Sequence, residues 1–85
     1  MYSKGQVVYS KSGRDKRRPF IVVDSDEQYV YLVDGDLRKL EKPKKKKFMH
    51  VQIVNVVIED IKQRLENDDY LNDADFRKAL QTYKL

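Results

Sequence analysis

The stretch Gly5 to Asp24, G-Q-V-V-Y-S-K-S-G-R-D-K-R-R-P-F-I-V-V-D, decides how the chain is read. Val7 to Tyr9 and Phe20 to Val23 are rich in β-branched and aromatic residues, which suit a pleated, half-buried surface, and both runs have strand length. Between them lie Lys11, Arg14, Lys16, Arg17 and Arg18. A hairpin with its cations concentrated at the tip is expected. Flanking strands would hold those side chains as a compact positive surface, and the commonest polyanion that such a surface meets in a cell is nucleic acid.

The reading continues outward from that hairpin. Gln28 to Val33 is a third strand, preceded by the turn-like Ser25-Asp26-Glu27 and paired with the second. Asp34-Gly35 is a strong hairpin signal, because tight type I′ turns need positive φ at both central residues, so Leu37 to Leu40 is expected as a fourth strand. Glu41 to Lys47 is a charged connection containing Pro43, and Phe48 to Val54 is the fifth strand. Short strands joined by tight turns match a small, strongly bent antiparallel barrel over residues 1–55, with an open meander packed on helices as the alternative.

Beyond Asn55 the period changes. Ile58, Ile61 and Leu65, and then Phe76, Ala79, Leu80 and Tyr83, fall on single helical faces, so residues 56–85 are expected to form two short amphipathic helices. Asn72 or Asp73 suits the cap of the second. Helices this short are marginal alone and need a surface to dock on.

The chain has 85 residues, enough for one small domain and too few for a large enclosed active site. It contains no cysteine, which excludes a disulfide framework and a Cys-based metal site. No apolar run reaches the ~20 residues of a membrane helix, and no signal-like stretch follows the first residues, so a cytoplasmic protein without a membrane partner is expected. Charge is unevenly placed. Residues 1–50 carry 13 Lys/Arg against 7 Asp/Glu, a balance of +6, whereas residues 51–85 carry 5 against 7, a balance of −2.

Gly5, Val8, Gly13, Arg14, Asp15 and Lys16, followed by an apolar strand, resemble the KOW motif, and most closely a large-subunit ribosomal protein family and its small bacterial KOW-domain relatives. The resemblance covers residues 1 to about 50 and implies a five-stranded SH3-like barrel that contacts RNA. One departure stands out: Arg17 occupies the place of the motif's most characteristic glycine, a residue that adopts positive φ freely and lets the backbone approach RNA closely.

The candidate RNA-binding residues form three groups. The loop cations Lys11, Arg14, Lys16, Arg17 and Arg18 come first, because Arg makes bidentate phosphate contacts that Lys does not. The second group is Lys44, Lys45, Lys46 and Lys47, extended by Arg38, Lys39 and Lys42; four adjacent lysines repel one another and favour an extended or mobile segment. Tyr9 and Tyr31 are candidates for base stacking, although such rings are more often core. Each basic group also has a plainer reading as a solvated surface. Asp15 suits orienting a neighbouring arginine or capping loop N–H groups, and His50 has no partner at metal-ligand spacing.

The function expected is a non-enzymatic RNA-binding protein, with ribosomal RNA, the ribosome or its proteins as partners and no cofactor or small-molecule substrate. A protein-interaction module in the transcription or translation machinery is the alternative, since Phe76, Leu80 and Tyr83 would seek a groove if left exposed. An enzyme is disfavoured by the lack of a nucleophile–base pair, paired catalytic carboxylates or a phosphate-binding Gly-rich loop.

Overall fold

In the computed structural model, which describes residues 2–84, five strands form one antiparallel sheet. They are β1 (Gln6–Ser10), β2 (Pro19–Ser25), β3 (Tyr29–Val33), β4 (Lys44–Lys47) and β5 (Val51–Val57), in the spatial order β4-β3-β2-β1-β5. Two helices follow, α1 (Glu59–Glu66) and α2 (Asp73–Leu80). None of the helices is long and apolar enough to cross a membrane, among the described residues.

Both faces of the central strands are covered. Consecutive side chains of a strand point to opposite faces, so the adjacent buried pairs Val7/Val8 and Ile21/Val22 serve two separate cores. Val7, Ile21 and Val33 meet Ile61, Phe76 and Leu80 of the helices. Val8, Phe20, Val22, Val30, Leu32 and Val51 form the core on the other face, with Phe48 and Tyr2 packed against it, their ring centroids 4.9 Å apart. This two-sided burial explains why the strands read as nearly continuous apolar runs rather than as an alternation.

The sheet is open. Register shifts between Gln6 and Val8 in the β1–β5 ladder, and between Val22 and Asp24 in the β2–β3 ladder, add local bend and twist. At the first of these the buried Gln6 amide donates to Val54 O at 2.5 Å and Val56 O at 3.2 Å, satisfying carbonyls where the regular pairing shifts. The two edge strands, β4 and β5, are joined by one 3-10 turn, Phe48–His50. At about 2 Å of rise per residue, three residues bring opposite edges of the sheet to a common corner. No hydrogen-bonded ladder joins β4 to β5 among the described residues.

The expected fourth strand is corrected. Asp34-Gly35 does reverse the chain, but the turn closes on itself: Arg38 O accepts from the Asp34 and Gly35 N–H groups, and Asp34 Oδ1 accepts from the N–H groups of Asp36 at 2.9 Å and Arg38 at 2.8 Å. Leu37 to Leu40 therefore forms no strand, and Leu37 points to solvent. The tetralysine takes that place instead, pairing with β3 through Tyr29↔Lys47, Val30↔Lys46, Tyr31↔Lys45 and Leu32↔Lys44. Backbone pairing needs only an extended chain, and an edge strand leaves its alternate side chains free to reach water. The fifth strand also begins later than expected, at Val51, and runs to Val57, past the expected boundary at residue 55.

Both helices stand where their periodicity places them. Asn72 caps α2 in a reciprocal box with Asp75: Asn72 Oδ1 accepts from Asp75 N at 3.0 Å, and Asp75 Oδ2 accepts from Asn72 N at 2.9 Å. Arg64 ties the helices together by reaching Asp60, Asp75 and the Tyr70 carbonyl. The start of α2 is locked to the turn after β3, where Asp73 Oδ1 accepts from Leu40 N at 2.8 Å and Arg77 Nη1 donates to Gly35 O at 2.6 Å. Gly35 has φ +78°, and a Cβ there would run into the Asp73 carbonyl oxygen, so both the turn and the docking require glycine.

Candidate functional site

The two basic groups, well separated in sequence, meet in space at the β1–β2 loop. That loop contains a 3-10 turn, Gly13–Asp15, and is pinned by three cations that the sequence reading assigned to RNA. Arg38 Nε and Nη2 donate to Asp15 Oδ2 at 3.1 and 2.9 Å. Arg18 Nη2 donates to Asp34 Oδ2 at 3.2 Å, with Asp36 Oδ2 at 3.7 Å. Lys46 Nζ donates to Ser12 O at 3.0 Å.

Asp15 and Asp34 are the reason for this arrangement. Their side chains are 4% and 6% exposed, and a buried carboxylate without a cation or donors would carry a heavy desolvation cost. Arg38 and Arg18 are thus committed to internal pairs while keeping about a third of their own surface in water. Lys46 is partly buried, and burial pushes its ammonium pKa below the ordinary lysine value, against the smaller opposing pull of Asp15. These three side chains build the loop's base rather than its tip.

What remains outward-facing is more compact than the sequence list. Lys11, Arg14, Lys16 and Arg17 are exposed on the loop, and none of them forms an ion pair among the described residues. Arg17 has φ +71°, a left-handed backbone that glycine adopts freely, and its N–H donates to Ser10 O at 2.8 Å. On the adjoining surface, a shallow groove of about 530 Å³ runs between the 37–43 segment and β4, lined on its basic side by Lys39, Lys42, Lys44 and Lys45. Lys47 is exposed at the end of β4.

Both aromatic candidates hydrogen-bond within the chain. The Tyr9 hydroxyl donates to the Tyr83 carbonyl, fastening β1 to the turn after α2. Tyr31 donates to Asp26 Oδ2 at 2.9 Å, while Asp26 Oδ1 accepts from the Gln28 and Tyr29 N–H groups at 2.9 and 2.8 Å. Those backbone bonds lead in holding the Asp26 carboxyl below its ordinary value, and the bond to Asp26 leads in pushing the Tyr31 phenol up. The ring covered by a cation is Tyr29, with Lys45 Nζ 4.3 Å from its centroid. His50 sits in the 3-10 turn rather than on a strand, and its carbonyl accepts from Lys11 N at 2.8 Å.

Sequence reasoning missed the clamps because they are long-range. In place of the neighbouring arginine expected, Asp15 holds Arg38, 23 residues away. Taken together, the site is a cationic loop braced from within beside a basic groove, suited to closely spaced negative charges. No family model matches the chain, and no curated protein matches it.

Proposed function

We propose that this chain is a non-enzymatic, cytoplasmic RNA-binding protein of the KOW type, with an SH3-like barrel that presents its β1–β2 loop to structured RNA, ribosomal RNA foremost. The observation that carries the reading is the division among the cations: Arg18, Arg38 and Lys46 brace the loop from behind, leaving Lys11, Arg14, Lys16 and Arg17 exposed on a backbone already fixed. Preorganised cations lose less freedom on binding than a mobile run. The positive φ of Arg17 supports the KOW resemblance, and the single turn joining the sheet edges supports the barrel. The alternative of a protein-interaction module drew on the apolar face of α2, but Phe76 and Leu80 are 0% and 1% exposed.

The mechanism is electrostatic. Loop and β4 cations displace counterions from the phosphate backbone, so log affinity falls linearly with log salt. A titration of duplex-containing RNA at several salt concentrations is expected to show that slope, and Arg14→Ala with Lys16→Ala should make it shallower by about 1.4 to 1.8, the share of two phosphate contacts. A flat salt response in the unaltered protein, or no binding at low salt, would remove the proposal.

A further inference from the structure

A second cleft, of about 190 Å³, lies between the base of the cationic loop and the C-terminal end of α2, lined by Arg17, Arg18, Pro19, Asp34, Asp36, Leu80 and Lys84. We infer that it is a pocket for one unpaired guanine base of the bound RNA, with the flanking phosphate held by Arg17 and Lys84. The inference rests on the RNA-binding reading above and adds base selectivity to it.

Four features carry the assignment. The volume is below the roughly 300 to 1,000 Å³ of pockets for drug-sized ligands, which suits one ring system with its sugar and phosphate left outside. Pro19 and Leu80 add apolar atoms to an otherwise charged lining, a surface on which a base's flat face can rest. Arg17 and Lys84 are exposed cations, which favours an anionic group outside the pocket. Asp36 is 58% exposed at the rim, and its one charged contact is the 3.7 Å approach of Arg18, so it has acceptor capacity to spare.

Arg18 completes the pattern from the other side. Only its Nη2 is hydrogen-bonded, and about a third of the side chain is open to solvent, which leaves the guanidinium with donor capacity toward the cleft. A donor on one side and a carboxylate on the other match an edge with a carbonyl next to N–H groups. Guanine offers O6 to the guanidinium and N1–H with N2–H to the two carboxylate oxygens. Adenine and cytosine each offer only one exocyclic amine, and uracil one N–H.

Two measurements on the full chain test this. The first titrates the isotope-labelled protein with the four nucleoside 5′-monophosphates and follows the Arg18 Nε–H and backbone Leu80 and Lys84 signals by NMR. GMP is expected to move them with an affinity roughly tenfold above AMP, CMP or UMP, within what one bidentate base contact gives, and guanosine to bind more weakly than GMP. The second compares single-stranded oligouridine with the same strand carrying one guanosine, using the native protein and Asp36→Asn, whose exposed position leaves folding intact. Native protein should prefer the guanosine strand about tenfold, and Asp36→Asn should lose that preference. Equal response to all four nucleotides, no shift at Arg18, or a preference that survives Asp36→Asn each overturns the pocket; salt-dependent binding of both strands alike would do so while leaving the phosphate-binding loop in place.

Discussion

Arg17 shows how much one residue can carry. Its left-handed backbone costs a non-glycine residue about 1 to 2 kcal/mol, a strain kept at the centre of the exposed cationic loop. Arg17→Gly relieves that strain but frees the unfolded chain, so stability should stay within about 1 kcal/mol of the native value or rise, while the salt slope of RNA binding drops by about 0.9. Arg17→Val, β-branched at positive φ, should unfold at lower temperature. Calorimetry of the two variants checks the pair, and a stabilised valine variant would contradict the geometry. Asp26 makes a prediction of a different kind. Its carboxyl is depressed in the folded protein, first by the Gln28 and Tyr29 N–H bonds, so its contribution is present above the ordinary value of 3.8 and is lost as pH falls through the folded value. Asp26→Asn keeps an acceptor for both N–H groups and removes the titration. Its melting temperature should therefore fall less steeply than the native one between about pH 5 and pH 2.

At the scale of elements, the loop and the turn after β3 behave as one body through Asp15–Arg38 and Arg18–Asp34. Arg38→Met leaves the Asp15 carboxylate buried without its cation, and should cost about 1 to 3 kcal/mol in a denaturant titration. Arg14→Met, at an exposed position with no ion pair, should cost less than about 0.5 kcal/mol. Equal costs would mean that the clamp contributes nothing to folding. These cross-links also mark the limit of what the sequence disclosed. β1, β2, β3 and both helices were legible because their apolar runs and 3.6-residue spacing report burial directly. β4 was not, because four lysines carry no signal of burial, and an edge strand is chosen by the neighbour it pairs with. The Asp-Gly signal misled for a related reason: the Asp34 carboxylate gathers the N–H groups of Asp36 and Arg38 into a closed loop, so the chain reverses without a returning ladder. Among the site residues, sequence identified the exposed loop cations but not the inward turn of Arg18, Arg38 and Lys46, which depends on carboxylates and carbonyls distant in the chain.

Over the whole molecule, structure and charge are divided between the two ends of the chain. The helices cover one face of the sheet with Ile61, Phe76 and Leu80, and their segment, residues 51–85, has 7 acidic against 5 basic residues. Phe76→Ala should therefore cost about 3 to 5 kcal/mol, a large part of the roughly 5 to 15 kcal/mol that holds a domain together, whereas RNA affinity of the folded fraction should change little. Lost affinity with unchanged stability would assign the helices a recognition role instead. The tetralysine has one more consequence. β4 is an edge strand, with β3 on one side and an open row of N–H and C=O groups on the other. Such a row is a template on which a second copy's strand can add, and repelling ammonium groups are a common guard against it. The exposed ammonium groups of Lys45 and Lys47 thus stand as the guard that keeps neighbouring copies from stitching their sheets together, and neutralising them without occupying the edge should favour aggregation.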